Sequence, residues 1–452
     1  MTELDRSRLA ALLEREQMAF VRTHPRSGER FAASEQSLFG GVPMSWMRRW
    51  PGGFPVVVAR ASGARLRDID GNEYVDLCLG DTGAMAGHGP GPTVRALAEQ
   101  STRGLATMLP SEDAAWVGEE LARRFGLERW QLTLTATDAN RFAIRIARSL
   151  TGRPRILVFN HCYHGTVDET LASLDGEGRV VARSGNVGPP VDPAATTRVV
   201  EFNDEGALEA ALSQGDVACV LAEPAMTNIG IVPPEPGFHD ALRRLTREHG
   251  ALLVIDETHT ISAGPGGFTA AHGLDPDMLT IGKAIAGGVP AGALGMRAHL
   301  EARALGDADA DYVDTGGIGG TLAGNPLSLA AMRATLGEVL TDEAFAHTVP
   351  LAARWAEGVR AVVAQAGLAW HVTQLGCRAE YLFRAETPRT GSEAAAARDP
   401  LLEDYLHLAA LNRGVLLTPF HNMALISPAT TEADVDRHTS VIRETVGALV
   451  GA

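Results

Sequence analysis

Between about residues 86 and 330, apolar residues gather into short unbroken runs separated by amphipathic stretches of helical period. The clearest runs are Arg155–Phe159, Thr197–Glu201, Val217–Ala222, Ala251–Ile255, Met278–Ile281 and Ala291–Met296. A run with no polar alternation reads as a strand buried on both faces. Strands alternating with helices predict a parallel α/β sheet. A further strand, Trp130–Leu134, leads into a helix whose apolar positions are Ala139, Phe142, Ala143, Ile146, Ala147 and Leu150.

The flanking segments read differently. Residues 2–23 form an amphipathic arm, with Leu4, Leu9, Leu12 and Leu13 set among charges. A Gly/Pro-rich segment, Phe39–Pro55, precedes short strands at Val56–Val58, Ala64–Arg67 and Tyr74–Leu77; Asp70-Gly71-Asn72 marks a hairpin between the last two. Beyond residue 331 a helix, Ala330–Leu340, continues into mixed strands and helices, with strands at Leu375–Phe383 and Gly414–Thr418. Thr431-Glu432-Ala433-Asp434 resembles a capping box and opens a last helix that buries Val435, Val441, Ile442 and Val446. Stretches 174–196 and 384–399 are predicted surface loops. Three parts result: an N-terminal arm with part of a small domain (1–85), a large domain (86–330), and a C-terminal part of the small domain (331–452).

With 452 residues, 45% of them hydrophobic, the chain can bury a large core and is too long for one typical domain. The net charge of −15 argues against a nucleic-acid or anionic-membrane partner. Four cysteines without CxxC spacing point to a reducing compartment and no disulfide framework. The start of the chain is too charged for a signal peptide, and no apolar run approaches the roughly 20 residues of a membrane span. A cytoplasmic protein is the expectation.

Candidate chemistry gathers at the ends of the apolar runs. Asp256 ends one and Lys283 another, followed by Gly-rich Ala284–Gly288. Parallel sheets bind ligands at the carboxyl ends of their strands, so this acid and this amine are expected to face one crevice. A pyridoxal phosphate enzyme needs such a pair: a lysine for the Schiff base and a carboxylate to keep the pyridine nitrogen protonated. Imine formation requires a neutral amine, which burial at a strand end favours. Thr135-Ala136-Thr137-Asp138 opens a helix, where hydroxyls and free N–H groups suit a phosphate; taken alone it reads equally well as an ordinary N-cap. Tyr163, in His161-Cys162-Tyr163-His164-Gly165, could stack on a flat cofactor or pack into the core. No second His/Cys pair supports a metal at His161, Cys162 and His164, and no metal is expected. Gly319–Pro326 is a Gly-rich turn before a helix.

In order and spacing these segments resemble the class III (subgroup II) aminotransferases of PLP fold type I, in the branch of glutamate-1-semialdehyde aminomutase and the β-amino-acid aminotransferases. The resemblance runs from about residue 36 to the C-terminus. It rests on Asp70–Asp76, Gly87-His88, Tyr163-His164-Gly165, Glu223-Pro224, Pro236-Gly237-Phe238, Asp256-Glu257, Gly282-Lys283, Gly320-Thr321 and Gly324-Asn325-Pro326. It implies an α/β fold: a large, mixed but mostly parallel sheet domain that binds the cofactor, and a small α+β domain from the N- and C-terminal segments. It implies pyridoxal 5'-phosphate on Lys283, with Asp256 on the pyridine nitrogen. The site would be completed by Thr135, Ala136 and Thr137 at the phosphate, Tyr163 and its neighbour His164 at the ring, and Glu223 near the phenolic edge. Thr321 would reach the phosphate of the other subunit, making a homodimer. The implied partners are a small amine or amino-acid donor and a carbonyl acceptor, exchanging the amino group by a ping-pong mechanism.

Departures from the family bear on the substrate. Thr135-Ala136-Thr137-Asp138-Ala139 stands where the family has Ser-Gly-Thr-Glu-Ala, and Thr258–Ser262 replaces a stretch with a Gly-Phe-Arg. A carboxylate-binding arginine of the relatives falls at Trp46 or Met47, with Arg48 just beyond. Near the C-terminus the chain has Thr418–Met423, with Phe420 and His421. An apolar pocket of Trp46, Met47, Phe420 and Met423 would favour amines or amino acids with a bulky apolar group. Arg48 swinging in would restore carboxylate binding, as in a β-amino-acid aminotransferase. Intramolecular transfer, as in the aminomutase, is the other alternative.

Overall fold

The unbroken runs all become strands of one sheet. The computed structural model describes residues 4–188 and 191–451. It divides into two units, one of Gly91–Asp342 and Pro388–Ala396, the other of Met1–Pro90, Glu343–Thr387 and Ala397–Ala452. The first holds β1 (Arg129–Thr133), β2 (Arg155–Phe159), β3 (Thr197–Val200), β4 (Val217–Ala222), β5 (Leu252–Asp256), β6 (Met278–Gly282) and β7 (Gly292–Met296). Their order is β1-β7-β6-β5-β4-β2-β3. Only β7 runs against its neighbours, β6 and β1; the other pairings are parallel. Every residue of β4, β6 and β7 is buried, which is why these runs lack alternation. Side chains such as Val220, Leu221, Val254 and Ile255 have no exposed surface. Each contributes roughly 1.5–3 kcal/mol by leaving water.

Register brings the ends of the central strands to one edge of the sheet. Ala222 pairs with Ile255, and Asp256 with Thr280, three residues before Lys283. Glu223, Asp256 and Lys283 therefore leave the sheet along one edge. After β1, the helix α1 (Ala136–Thr151) begins at Thr135, whose hydroxyl accepts from Asp138 N at 3.2 Å, and ends at left-handed Gly152. Ala139, Phe142, Ala143, Ile146 and Ala147 form its buried stripe, as their spacing predicts.

The predicted loops hold regular structure. At the start of 174–196 a hairpin pairs Ala172–Leu174, which leads into the stretch, with Val180–Ala182 inside it; Pro189 and Pro190 lie outside the described residues. Within 384–399 a short helix, Gly391–Ala396, packs so closely that a Cβ on Gly391 would stand 2.2 Å from the Asn160 carbonyl oxygen. Both stretches are polar and Gly/Pro-rich, and local composition hides such pairing.

In the other unit the N-terminal arm is a helix, Arg6–Thr23, capped by Asp5 and burying Leu9, Leu12, Leu13 and Phe20; residues 2 and 3 lie outside the described residues. A four-stranded sheet joins Val58–Ser62, Arg65–Asp68, Glu73–Asp76 and Val415–Leu416. A three-stranded one joins His371–Leu375, Arg378–Leu382 and Met423–Leu425. The single strand expected over Leu375–Phe383 is thus the end of one strand and the whole of another, with Gly376 (φ +58) at the turn. Thr431 and Asp434 do form a capping box. Among the described residues no helix is long and apolar enough to cross a membrane.

Two buried histidines make this unit acid-sensitive. His407 and His438 are nearly inaccessible, and His438 lies against Trp355 at 4.9 Å between ring centroids. Burial pushes their pKa down from 6.5, to about 4 and about 3. The unfolded chain therefore binds protons that the folded one refuses, and stability falls as pH drops below about 6.5. Each site withdraws about 3 kcal/mol by pH 4. A melting series from pH 7 to 4 should show a steep loss that His438→Leu reduces. An unchanged slope in the variant would refute the assignment.

Candidate active site

Lys283 begins the short turn after β6 with φ +51, a left-handed conformation that costs a residue with a Cβ on the order of 1 kcal/mol. It is the only lysine in the chain; every other Lys/Arg position is arginine. Its strand end touches the start of α1. A Cβ on Gly282 would stand 3.0 Å from Ala136 N, and one on Gly292 2.6 Å from the Thr135 carbonyl. These glycines let the two strand ends approach the start of α1 at Thr135 and Ala136. Lys283 Nζ is hydrogen-bonded to His259 Nε2 at 2.8 Å.

Asp256 is buried at the end of β5. Its Oδ2 accepts from Asn140 Nδ2 and from His164 Nδ1, both at 2.9 Å, and its Oδ1 accepts from Thr258 N at 3.1 Å. Asn140, on α1, also donates to the His164 carbonyl at 3.1 Å and accepts from Thr280 Oγ1 at 2.6 Å. Burial alone would raise the Asp256 pKa, but its bond to His164 and that ring's charge hold it at about 2. Burial would likewise lower that of His164, yet Cys162 and Asp256 keep it up at about 10. The pair is an ion pair at neutral pH, and the carboxylate stays charged although buried.

The loop after β2 closes against α1. Gly165, at φ +78, lies so near that a Cβ would stand 2.0 Å from Thr137 Oγ1, and Thr166 N donates to that oxygen at 3.2 Å. Tyr163 is half-buried on this loop, whereas His164 is buried and bonded to Asp256. Glu223, also buried, accepts from Thr227 N at 3.1 Å and from the Thr227 hydroxyl. Thr321 is exposed and lines an open cavity of about 260 Å³ with Met108, Leu109 and Asn325.

The residues expected at the substrate belong to the other unit. There Trp46 and Phe420 meet edge-to-face at 5.6 Å. Met47 is partly exposed, and the Arg48 guanidinium lies over the Phe31 ring at 5.9 Å. His421 is buried and bonded to Glu380 at 3.0 Å, and Arg378 donates to the same carboxylate at 3.1 Å. Met423, expected to line a pocket, is a strand residue with no exposed surface. Asn140 and His259 were not foreseen. Asn140 is a polar residue on a buried helix face, and His259 lies in the stretch that departs from the family pattern. The lone lysine was open to a simple count.

An amine, a carboxylate held ionised, a helix start bearing free N–H groups and hydroxyls, and glycine-permitted close approach form one site. This donor set fits pyridoxal phosphate. Comparison with known proteins agrees with the fold. The aminotransferase class-III family model matches residues 47–446. A glutamate-1-semialdehyde 2,1-aminomutase of Chloroflexus aggregans is 34% identical over 439 residues, covering 93% of this chain and 97% of the relative. A glutamate-1-semialdehyde-aminomutase from Pseudomonas aeruginosa PAO1, solved in complex with PMP, superposes with a TM-score of 0.97 at 51% identity, over 99% of this chain and 100% of that one. A β-phenylalanine aminotransferase from Variovorax paradoxus gives a TM-score of 0.85 at 29% identity, over 97% of each chain. The sheet of mostly parallel strands is that of PLP fold type I, and the chain belongs to the class III aminotransferases.

Proposed function

We propose that this chain is a pyridoxal-phosphate-dependent amino-group transferase that moves the group within one substrate, as the aminomutases it resembles do. One observation carries the chemistry: the only lysine and an ionised buried carboxylate leave adjacent parallel strands at the same edge of the sheet. The relatives' names support the intramolecular outcome over the intermolecular one.

When bound, the cofactor supplies an electron sink conjugated to the substrate nitrogen. The residues supply the rest. Lys283 Nζ would hold the cofactor covalently, and once released would take the proton from one substrate carbon and return it at another. Asp256 keeps the pyridine nitrogen protonated. Ala136 and Thr137 would offer N–H and hydroxyl groups to the phosphate, Tyr163 would cover the ring, and Glu223 would face the phenolic edge. A homodimer in the cytoplasm completes the reading. The exposed apolar side chains of Met108, Leu109 and Leu322 around Thr321 support a second subunit there.

Supplied with glutamate 1-semialdehyde alone, the enzyme should yield the isomer with its amino group moved from carbon 2 to carbon 1. Turnover only in the presence of a separate carbonyl acceptor would reject this outcome. The Trp46–Phe420 pair favours a second reading, ping-pong transamination of an amine or amino acid with a bulky apolar group. A half-reaction comparison of 1-phenylethylamine with β-phenylalanine tests it. Reaction with β-phenylalanine alone would assign Arg48 to the substrate carboxylate.

A further inference from the structure

His259 is held to Lys283 by a rigid loop. It stands three residues beyond Asp256, at the start of a short turn, Thr260–Ala263. Glu257 fixes that loop from inside. Its wholly buried carboxylate accepts from Thr260 Oγ1 at 2.5 Å, from Phe268 N at 3.1 Å and from Thr269 N, while Ile261 N donates to its carbonyl at 2.9 Å. The ring itself is half-buried, with Nε2 at 2.8 Å from Lys283 Nζ. An imidazole in contact with an amine that must lose a proton before it can attack a carbonyl is well placed to receive that proton.

We infer that His259 is the proton partner of Lys283. The Nζ–H bond of the ammonium breaks as an Nε2–H bond forms, leaving a neutral amine and an imidazolium; the reverse transfer restores both. His259 acts through Lys283 and is in that sense a positioning residue. The inference rests on Lys283 being the cofactor lysine, as proposed above.

The lone lysine makes the test clean. Trace acetic anhydride on the cofactor-free full-length chain can acetylate only one side-chain amine, with the α-amine as internal standard. His259→Gln keeps a hydrogen-bonding side chain that cannot take up a proton; His259→Leu keeps neither property. Lys283 acetylation relative to the α-amine should fall at least about tenfold in both variants. The Gln variant should keep the parent's melting temperature and affinity for added pyridoxal phosphate. Acetylation at the parent rate in the Gln variant would reduce His259 to a spacer, and the parent rate in the Leu variant would remove it from the site; either overturns the inference. Failure of the underlying reading looks different: borohydride reduction after adding pyridoxal phosphate would leave the Lys283 peptide unmodified.

Discussion

Lys283→Ala is expected to end covalent capture of the cofactor and to slow amino transfer roughly 10⁴-fold or more. No other side chain can replace it. The remaining Lys/Arg positions are arginines, which stay protonated and form no imine. The loss should be chemical rather than structural. Alanine at the same left-handed φ of +51 bears much the same strain, so global stability should move by less than about 1 kcal/mol. Borohydride reduction, digestion and peptide mass measurement read the result directly. Parent protein should carry the reduced cofactor at one internal position, and the variant at none. A reduced adduct elsewhere in the variant, or turnover within tenfold of the parent, would contradict the assignment. Lys283→Arg should fail equally, which separates the need for a removable proton from the need for positive charge.

The central sheet was legible because its strands are buried on both faces. Burial leaves runs such as Val217–Ala222 with no polar interruption, and their ends point directly to Asp256 and Lys283. Parallel pairing then brings those ends to one edge of the sheet. Elsewhere local pattern misleads. Leu375–Phe383 reads as one run because the Gly376-Cys377 turn is short and Cys377 is itself buried. The bond of His421 to Glu380 was not legible, because Glu380 lies on a strand paired through long-range contacts that no local spacing encodes. Met423 shows the same limit from the apolar side: a methionine lining a pocket and one filling a strand's buried face look alike in sequence. Asn140 and His259 could be found only from the distances that folding brings about, 2.9 Å to Asp256 and 2.8 Å to Lys283.

Asp256→Asn is expected to lower amino transfer roughly 10³-fold and to change how stability depends on pH. The first effect follows from charge: in the role proposed for Asp256, a neutral amide would no longer keep the pyridine nitrogen protonated. The second follows from the ion pair behind it. Asn140 Nδ2 and His164 Nδ1 both donate to Oδ2, and Thr258 N donates to Oδ1. An asparagine must turn its own N–H groups toward one side, so at least one donor there meets a donor. The raised pKa of His164 contributes stability that is full below 6.5 and lost as pH rises through about 10. The lowered pKa of Asp256 contributes stability present above 3.8 and lost as pH falls through about 2. The parent therefore draws most from the pair between about pH 4 and 6.5. There the variant's deficit should be largest, about 3 kcal/mol, because His164 must either stay charged without a partner or give up its proton. Toward pH 10 the parent's ring also becomes neutral, and the two melting curves should converge. Parallel curves from pH 5 to 10 would show that His164 is not charged in the folded parent. Unchanged turnover would remove Asp256 from the electron sink, since the carboxylate's charge is the property this substitution deletes while nearly preserving its shape.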